Sequence, residues 1–65
     1  MFKVITRFQD QRGRDDGGSA VFYPLYRFAE QMHFTNIMHR DTRMSVIEEW
    51  DGDKYVRTLA VFKRK

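Results

Sequence analysis

Cysteine is absent from the 65 residues. No disulfide framework can brace the fold, and no thiolate is available to hold a metal or attack a substrate. The lack fits a reducing, cytoplasmic setting. Proline occurs once, at position 24, and three of the four glycines fall between Gly13 and Gly18. No run approaches the roughly 18 apolar residues of a membrane span. The opening Phe-Lys-Val-Ile-Thr-Arg-Phe after Met1 is too short and too charged for a secretory leader. Internal repeats and long low-complexity tracts are also missing. A chain this short buries only about 60% of its unfolded surface, so good packing or oligomerisation has to supply the stability.

What the sequence does hold is aromatic: six Phe, three Tyr and one Trp. Each buried ring removes a large apolar area from water. The net charge of +3 permits an anionic partner without demanding one.

The clearest local signal is a β-hairpin over Met44–Lys65. Asp51-Gly52 sits between two runs rich in Val, Ile, Thr, Trp, Tyr and Phe, and glycine takes the positive φ of a tight turn without steric cost. A two-residue loop (Asp51-Gly52) and a four-residue loop (Asp51–Lys54) put the same residues on the same faces, because the registers differ by two positions. One face carries Met44, Val46, Glu48 and Trp50 with Tyr55, Arg57, Leu59 and Val61. The other carries Ser45, Ile47 and Glu49 with Val56, Thr58, Ala60 and Phe62. The four-residue register sets Trp50 opposite Tyr55 and Glu48 opposite Arg57. A bulge at Gly52 would break this parity. Two strands alone are marginal in water, so other elements must cover at least one face.

Upstream, Phe2–Phe8 alternates, with Phe2, Val4, Thr6 and Phe8 on one side and Lys3, Ile5 and Arg7 on the other, as a strand does. Gln9–Ser19 is polar and glycine-rich and reads as a mobile loop. Its Gly17-Gly18-Ser19 lacks the pattern and lysine of a phosphate loop, and Asp10, Asp15 and Asp16 lack the spacing and terminal glutamate of a calcium loop. Ala20–Tyr23 is either a brief strand or the beginning of a helix. Pro24 suits a first helical turn. From there to about Phe34, Leu25, Phe28, Ala29 and Met32 recur at i, i+3, i+4 and i+7, an apolar stripe to lay on a sheet. Thr35-Asn36 is a suitable helix end, and Ile37–Arg43 reads as a connector. The expected fold is α+β: one domain over residues 1–65, in the order β-α-β-β. One helix packs on a small antiparallel or mixed sheet of three strands, with Ala20–Tyr23 available as a fourth. Residues 63–65 form a basic tail.

No catalytic, cofactor or metal constellation emerges. His33, His39 and Asp41 match no zinc spacing, and His33 near a helix C-terminus has an ordinary reason to be there in the dipole. Glu48 and Glu49, adjacent in a strand, point to opposite faces and cannot act as a paired acid and base. The chain therefore reads as a non-enzyme without a cofactor.

Two functions fit. The first is a protein–protein interaction or regulatory module, binding a protein partner or itself as a homodimer. One helix can cover only one sheet face, and an uncovered apolar face marks a partner surface. Trp50, Tyr55, Arg57 and Phe62, with Arg12 and Arg14 in the loop, are its candidate contacts. The small, cysteine-free, aromatic-rich build is that of many accessory proteins of bacteriophages and prophages, though it points to no family. The alternative is a single-stranded nucleic-acid binder, using Phe2 and Phe8 with Lys3, Arg7 and Lys63 to stack bases and follow a phosphate backbone. Charge is also uneven: Glu48, Glu49, Asp51 and Asp53 gather at the hairpin turn, and basic residues gather toward the C-terminus. That layout suits a defined partner better than uniform coating of a polyanion.

Overall fold

The computed structural model describes residues 1–64. Five elements follow in order: β1 (Phe2–Gln9), β2 (Asp15–Tyr23), α1 (Tyr26–Met38), β3 (Thr42–Asp51) and β4 (Lys54–Lys63). The strands form one antiparallel sheet in the order β2-β1-β3-β4, and the helix lies on one of its faces. The fold is α+β, as the composition of elements suggested, but the order is β-β-α-β-β.

The strand left open by the sequence is β2, of which the residue pattern points only to the second half, Ala20–Tyr23, as a brief strand or as the entry to the helix. Its first half, Asp15-Asp16-Gly17-Gly18-Ser19, has little strand propensity of its own. It is held by pairing with β1, where Thr6 faces Ser19 and Arg7 faces Gly18. Gly17 has φ +89°, and the register shifts just beyond Arg7, so the two glycines form a bulge that bends the edge strand. A Cβ on Gly18 would run into the carbonyl oxygen of Thr6. The segment read as one loop thus contracts to a turn between two strands. Asp10 organises that turn: its Oδ1 accepts N–H bonds from Arg12 and Arg14, each at 2.9 Å.

The β3–β4 hairpin forms where the Asp-Gly signal placed it. Trp50 pairs with Tyr55 as in the four-residue register, and pairing continues to Asp51–Lys54, leaving Gly52-Asp53 as the turn. Gly52 has φ +61° and Asp53 a negative φ, the sense of a type II′ turn. Two further shifts in register lie farther along, where β4 bulges near Val56 and Leu59. Between them the parity inverts. Arg57 therefore pairs with Glu49, with Nε 2.6 Å from Oε1, and Glu48 faces Thr58. The bulges also blunt β4 as an edge.

The helix departs from the reading at both ends. Pro24 lies ahead of it, Leu25 is its N-cap, and no side chain caps that end. It runs four residues past Phe34, through Thr35-Asn36, which therefore do not end it. The inward stripe is also different. Ala29, His33 and Asn36 face the sheet, and Leu25, Phe28 and Met32 are largely exposed. His33 sits mid-helix at 6% exposure, a correction to its assignment as a helix-end residue. At the true C-terminal end the last carbonyls are met from another element. Arg64 donates to the carbonyls of Ile37 and Thr42 at 3.0 Å, putting a cation where the helix dipole favours one. Of the expected basic tail, Lys63 ends β4 and Arg64 clasps the helix, while Lys65 lies outside the described residues.

The core is small. Val4, Ala29 and Ile47 are buried together, with Phe2, Tyr23 and Ala60 packed against them. Beside them runs a polar layer. His33 Nδ1 is 2.8 Å from Ser45 Oγ, and Asn36 Nδ2 donates to Thr6 Oγ1 at 2.8 Å. These bonds engage the buried Thr6, His33 and Ser45 with the half-buried Asn36, whereas the buried Thr42 Oγ1 has no partner among the described residues. The accessible surface is 4940 Å², above the roughly 4400 Å² that surface scaling gives for a compact 7.9 kDa chain.

Candidate protein-binding face

Strand alternation divides the sheet into a covered face and an open one. The covered face takes Phe2, Val4 and Thr6 of β1 with Ser45 and Ile47 of β3. The open face takes the odd residues Lys3, Ile5 and Arg7 and whatever pairs with them. Three cross-strand rows result. Near the β3–β4 turn stand Phe22, Lys3, Glu48 and Thr58. In the middle stand Ala20, Ile5, Val46 and Val61. At the far end stand Gly18, Arg7, Met44 and Lys63.

The first row is capped by Trp50 and Tyr55, and together they make an aromatic cluster. The Phe22 and Trp50 rings meet edge to face at 5.8 Å between centroids, and Trp50 and Tyr55 do so at 6.1 Å. Lys3 projects between strands so that its Nζ lies 5.5 Å from the Phe22 centroid and 4.9 Å from that of Trp50. Such a cation–π pair fixes both rings. Trp50 Nε1 donates to Glu48 Oε1 at 3.1 Å, and the Tyr55 and Thr58 hydroxyls are 2.7 Å apart. The polar atoms of the cluster are thus engaged sideways, leaving ring surface outward: Phe22 is 46% and Tyr55 52% exposed. Ordered, exposed aromatic area with low residual entropy is what a binding face offers.

The middle row is wholly apolar, with Val61 58% exposed and Val46 nearly buried by its neighbours. The far row opens into a depression of about 390 Å³ lined by Arg7, Arg43, Lys63, Arg64, Met44 and Asp15. Four cations there face one carboxylate. The turn end is the reverse, with Glu48, Glu49, Asp51 and Asp53 set against Lys54 and Arg57. The open face is therefore aromatic at one end, where Lys3 and Glu48 share a row, aliphatic in the middle and basic at the other, with Glu49 and Asp51 alternating to the covered side.

The candidate residues read from sequence are distributed unequally over this arrangement. Trp50 and Tyr55 come together on the open face. Arg57 is drawn to the covered side by its pairing with Glu49, and Phe62 lies opposite Ser45 on that side, half-buried beneath the Arg64 guanidinium. Arg12 and Arg14 sit in the β1–β2 turn, away from the aromatic cluster. Of the nucleic-acid set, Lys3, Arg7 and Lys63 share the open face. Phe2 packs beneath the helix against Tyr26 at 5.4 Å, and Phe8 is half-buried past a bulge. Phe22 is not among the candidates from sequence, because the short apolar run Ala20–Tyr23 fits either a brief strand or the entry to the helix. His33 and His39 do not converge: His33 is bonded to Ser45, and His39 is the exposed C-cap of the helix. Among the described residues no helix is long and apolar enough to cross a membrane. Compared with known proteins, the chain matches no family model, no curated protein and no solved structure.

Proposed function

We propose that this chain is a protein-interaction module that binds through the open face of its sheet. The observation that carries the reading is the ordered aromatic cluster of Phe22, Trp50 and Tyr55 around Lys3, on a face with no element packed over it. A solvated antiparallel sheet normally turns polar residues outward. Here the outward rows carry three aromatic rings and a full aliphatic row, the composition of an interface core with a charged rim. The reading is tested by placing a photo-crosslinking phenylalanine analogue at Tyr55, and as a control at Phe34 on the exposed side of the helix. The expected result in the producing cells is a discrete adduct from position 55 and none from position 34. Equal, diffuse labelling from both positions would sink the reading.

A second reading has one observation in its favour. Arg7, Arg43 and Lys63 continue the same face beyond the aliphatic row, so rings and cations are side by side as in single-strand binders. Glu48 beside the aromatic cluster opposes it. Anisotropy of a labelled oligonucleotide distinguishes the two. Nucleic-acid binding would fall steeply between low and moderate salt and weaken in Arg7→Gln and Lys63→Gln. A docked apolar face would show neither response.

A further inference from the structure

We propose that the basic end of the open face is a discrete binding site for a doubly charged phosphate group, the phosphate of a small phosphomonoester. The site lies at the opposite end of the sheet from the aromatic cluster, goes beyond the interaction-module reading and does not depend on it.

Two irregularities of the backbone build it. Arg7 pairs with Met44, but Phe8 pairs with Thr42, so Arg43 is the extra residue of a bulge. Simple alternation from Met44 would turn Arg43 to the helix side. The bulge instead brings it round to line the depression beside Arg7 and Met44. On the other flank Arg7 pairs with Gly18, which presents no side chain. A Cβ there would stand 3.0 Å from Arg7 Cδ, so the bare glycine leaves the Arg7 stem its place. Lys63 completes the row from β4, opposite Met44. Arg7 and Lys63 thus flank Met44 from the strands on either side, with Cα atoms about 10 Å apart. Arg43 enters from the end, and an oxyanion above Met44 is within the reach of all three side chains.

Charge fixes the class of ligand. Arg57 with Glu49 is the one ion pair among the described residues, so Arg7, Arg43 and Lys63 pair with no carboxylate there. Arg64 also lines the depression, but its guanidinium donates to the carbonyls of Ile37 and Thr42. Three uncommitted cations against Asp15, the single carboxylate of the lining, leave two charges to match. A phosphomonoester carries nearly two at neutral pH, whereas each link of a nucleic-acid backbone carries one. Two guanidinium forks and an ammonium suit phosphate oxygens, which accept from several directions at once. The volume of about 390 Å³ falls in the range of small-ligand sites.

The test follows the amide chemical shifts of the full chain as methyl phosphate is added at mildly alkaline pH, with ionic strength held constant by sodium chloride. One methyl phosphate per chain should saturate the shifts, half-complete below about 5 mM, and the shifts should centre on Arg7, Gly18, Arg43, Met44 and Lys63. Arg7→Gln, Arg43→Gln and Lys63→Gln should each weaken binding about tenfold. Lys54→Gln makes the same loss of charge at the turn end and should weaken it by less than about twofold. All four side chains are exposed, so the variants should keep the fold, which the same spectra check. Failure to saturate by about 20 mM overturns the site, and so does a Lys54→Gln variant as weak as the other three. Acetate that binds as tightly as methyl phosphate overturns the doubly charged ligand. An oligothymidylate without a terminal phosphate separates the sources of phosphate. If it shifts these amides and methyl phosphate does not, the proposed site falls and its cations serve the nucleic-acid reading. The Tyr55 crosslink reports on the aromatic cluster alone, so failure of the module and failure of this site are distinct results.

Discussion

The two faces of the sheet carry different kinds of side chain. Under the helix, Val4, Ala29 and Ile47 pack with Phe2 and Tyr23 beside a polar layer of Thr6, Ser45, His33 and Asn36 stitched by hydrogen bonds. On the open side lie Trp50, Phe22, Tyr55, Ile5, Val46 and Val61. A free-standing domain is expected to bury its largest apolar groups first. That this chain orders several of them on an uncovered surface is what the proposed binding role of the open face would use, while the covered face specifies the fold. The buried polar layer adds geometric constraint, since each of its bonds works in only one placement of helix on sheet.

The comparison is broken most severely by equal truncations on opposite faces. Ile47 is fully buried, and Ile47→Ala should cost about 2–5 kcal/mol, enough to leave a domain of this size largely unfolded. Val61→Ala should change the stability of the isolated chain by less than about 0.5 kcal/mol. Urea denaturation of both at a concentration that disfavours association measures the difference. Equal losses would mean that the two faces are not divided as described.

A smaller effect sharpens the account of the polar layer. Ser45→Ala removes the partner of His33 Nδ1 and the weaker acceptor of Asn36 at 3.4 Å, leaving buried polar groups under-bonded at a cost of about 1–3 kcal/mol. The layer also makes stability depend on pH. Burial lowers the pKa of His33 from its ordinary 6.5, and the nearby Glu30 carboxylate raises it by less. The folded state therefore binds the proton more weakly than the unfolded chain does. The stabilisation is fully present above pH 6.5 and is lost as the pH falls from there through the lowered folded value. Thermal melts of the wild type should drop over this interval, and His33→Gln should flatten that part of the curve. A wild-type melt that is level below pH 6.5 would count against a buried neutral imidazole.

The parts of this structure legible in the sequence are those where one residue type has one physical reason. Asp51-Gly52 announced the hairpin, and the alternation Phe2–Phe8 announced β1. Trp50 and Tyr55 were recognisable as partners in one of the two registers that the turn left open, and that is the one formed. Strand β2 was hidden because Asp15–Gly18 is stabilised by its neighbour β1 rather than by its own propensities. The helix end was hidden because Asn36, a residue that favours helix ends, is retained inside by its bond to Thr6. The β4 bulges leave no mark in composition, and they alone moved Arg57 from Glu48 to Glu49. Phe22 illustrates the consequence: a contact residue is legible only if the strand that presents it is.

The finest test of the division leaves the fold alone. Tyr55 is half exposed and near the hairpin turn, its hydroxyl bonded only to Thr58. A lysine in its place keeps a long side chain whose stem can lie along the strand with its ammonium in water. The change removes only the exposed hydroxyl bond to Thr58 and the edge contact with Trp50, so the unfolding free energy of the isolated chain should fall by no more than about 1 kcal/mol. Association should respond very differently. An aromatic side chain buried in an interface commonly carries about 2 kcal/mol or more of binding energy, and the substituted lysine would add a charge beside Lys3 that a closed face could not solvate. Tyr55→Lys should therefore stay folded and fail to associate. If instead it loses more stability than that and keeps its association, the aromatic cluster belongs to the fold, and the binding face must be sought elsewhere, first on the exposed helix flank at Phe28 and Phe34.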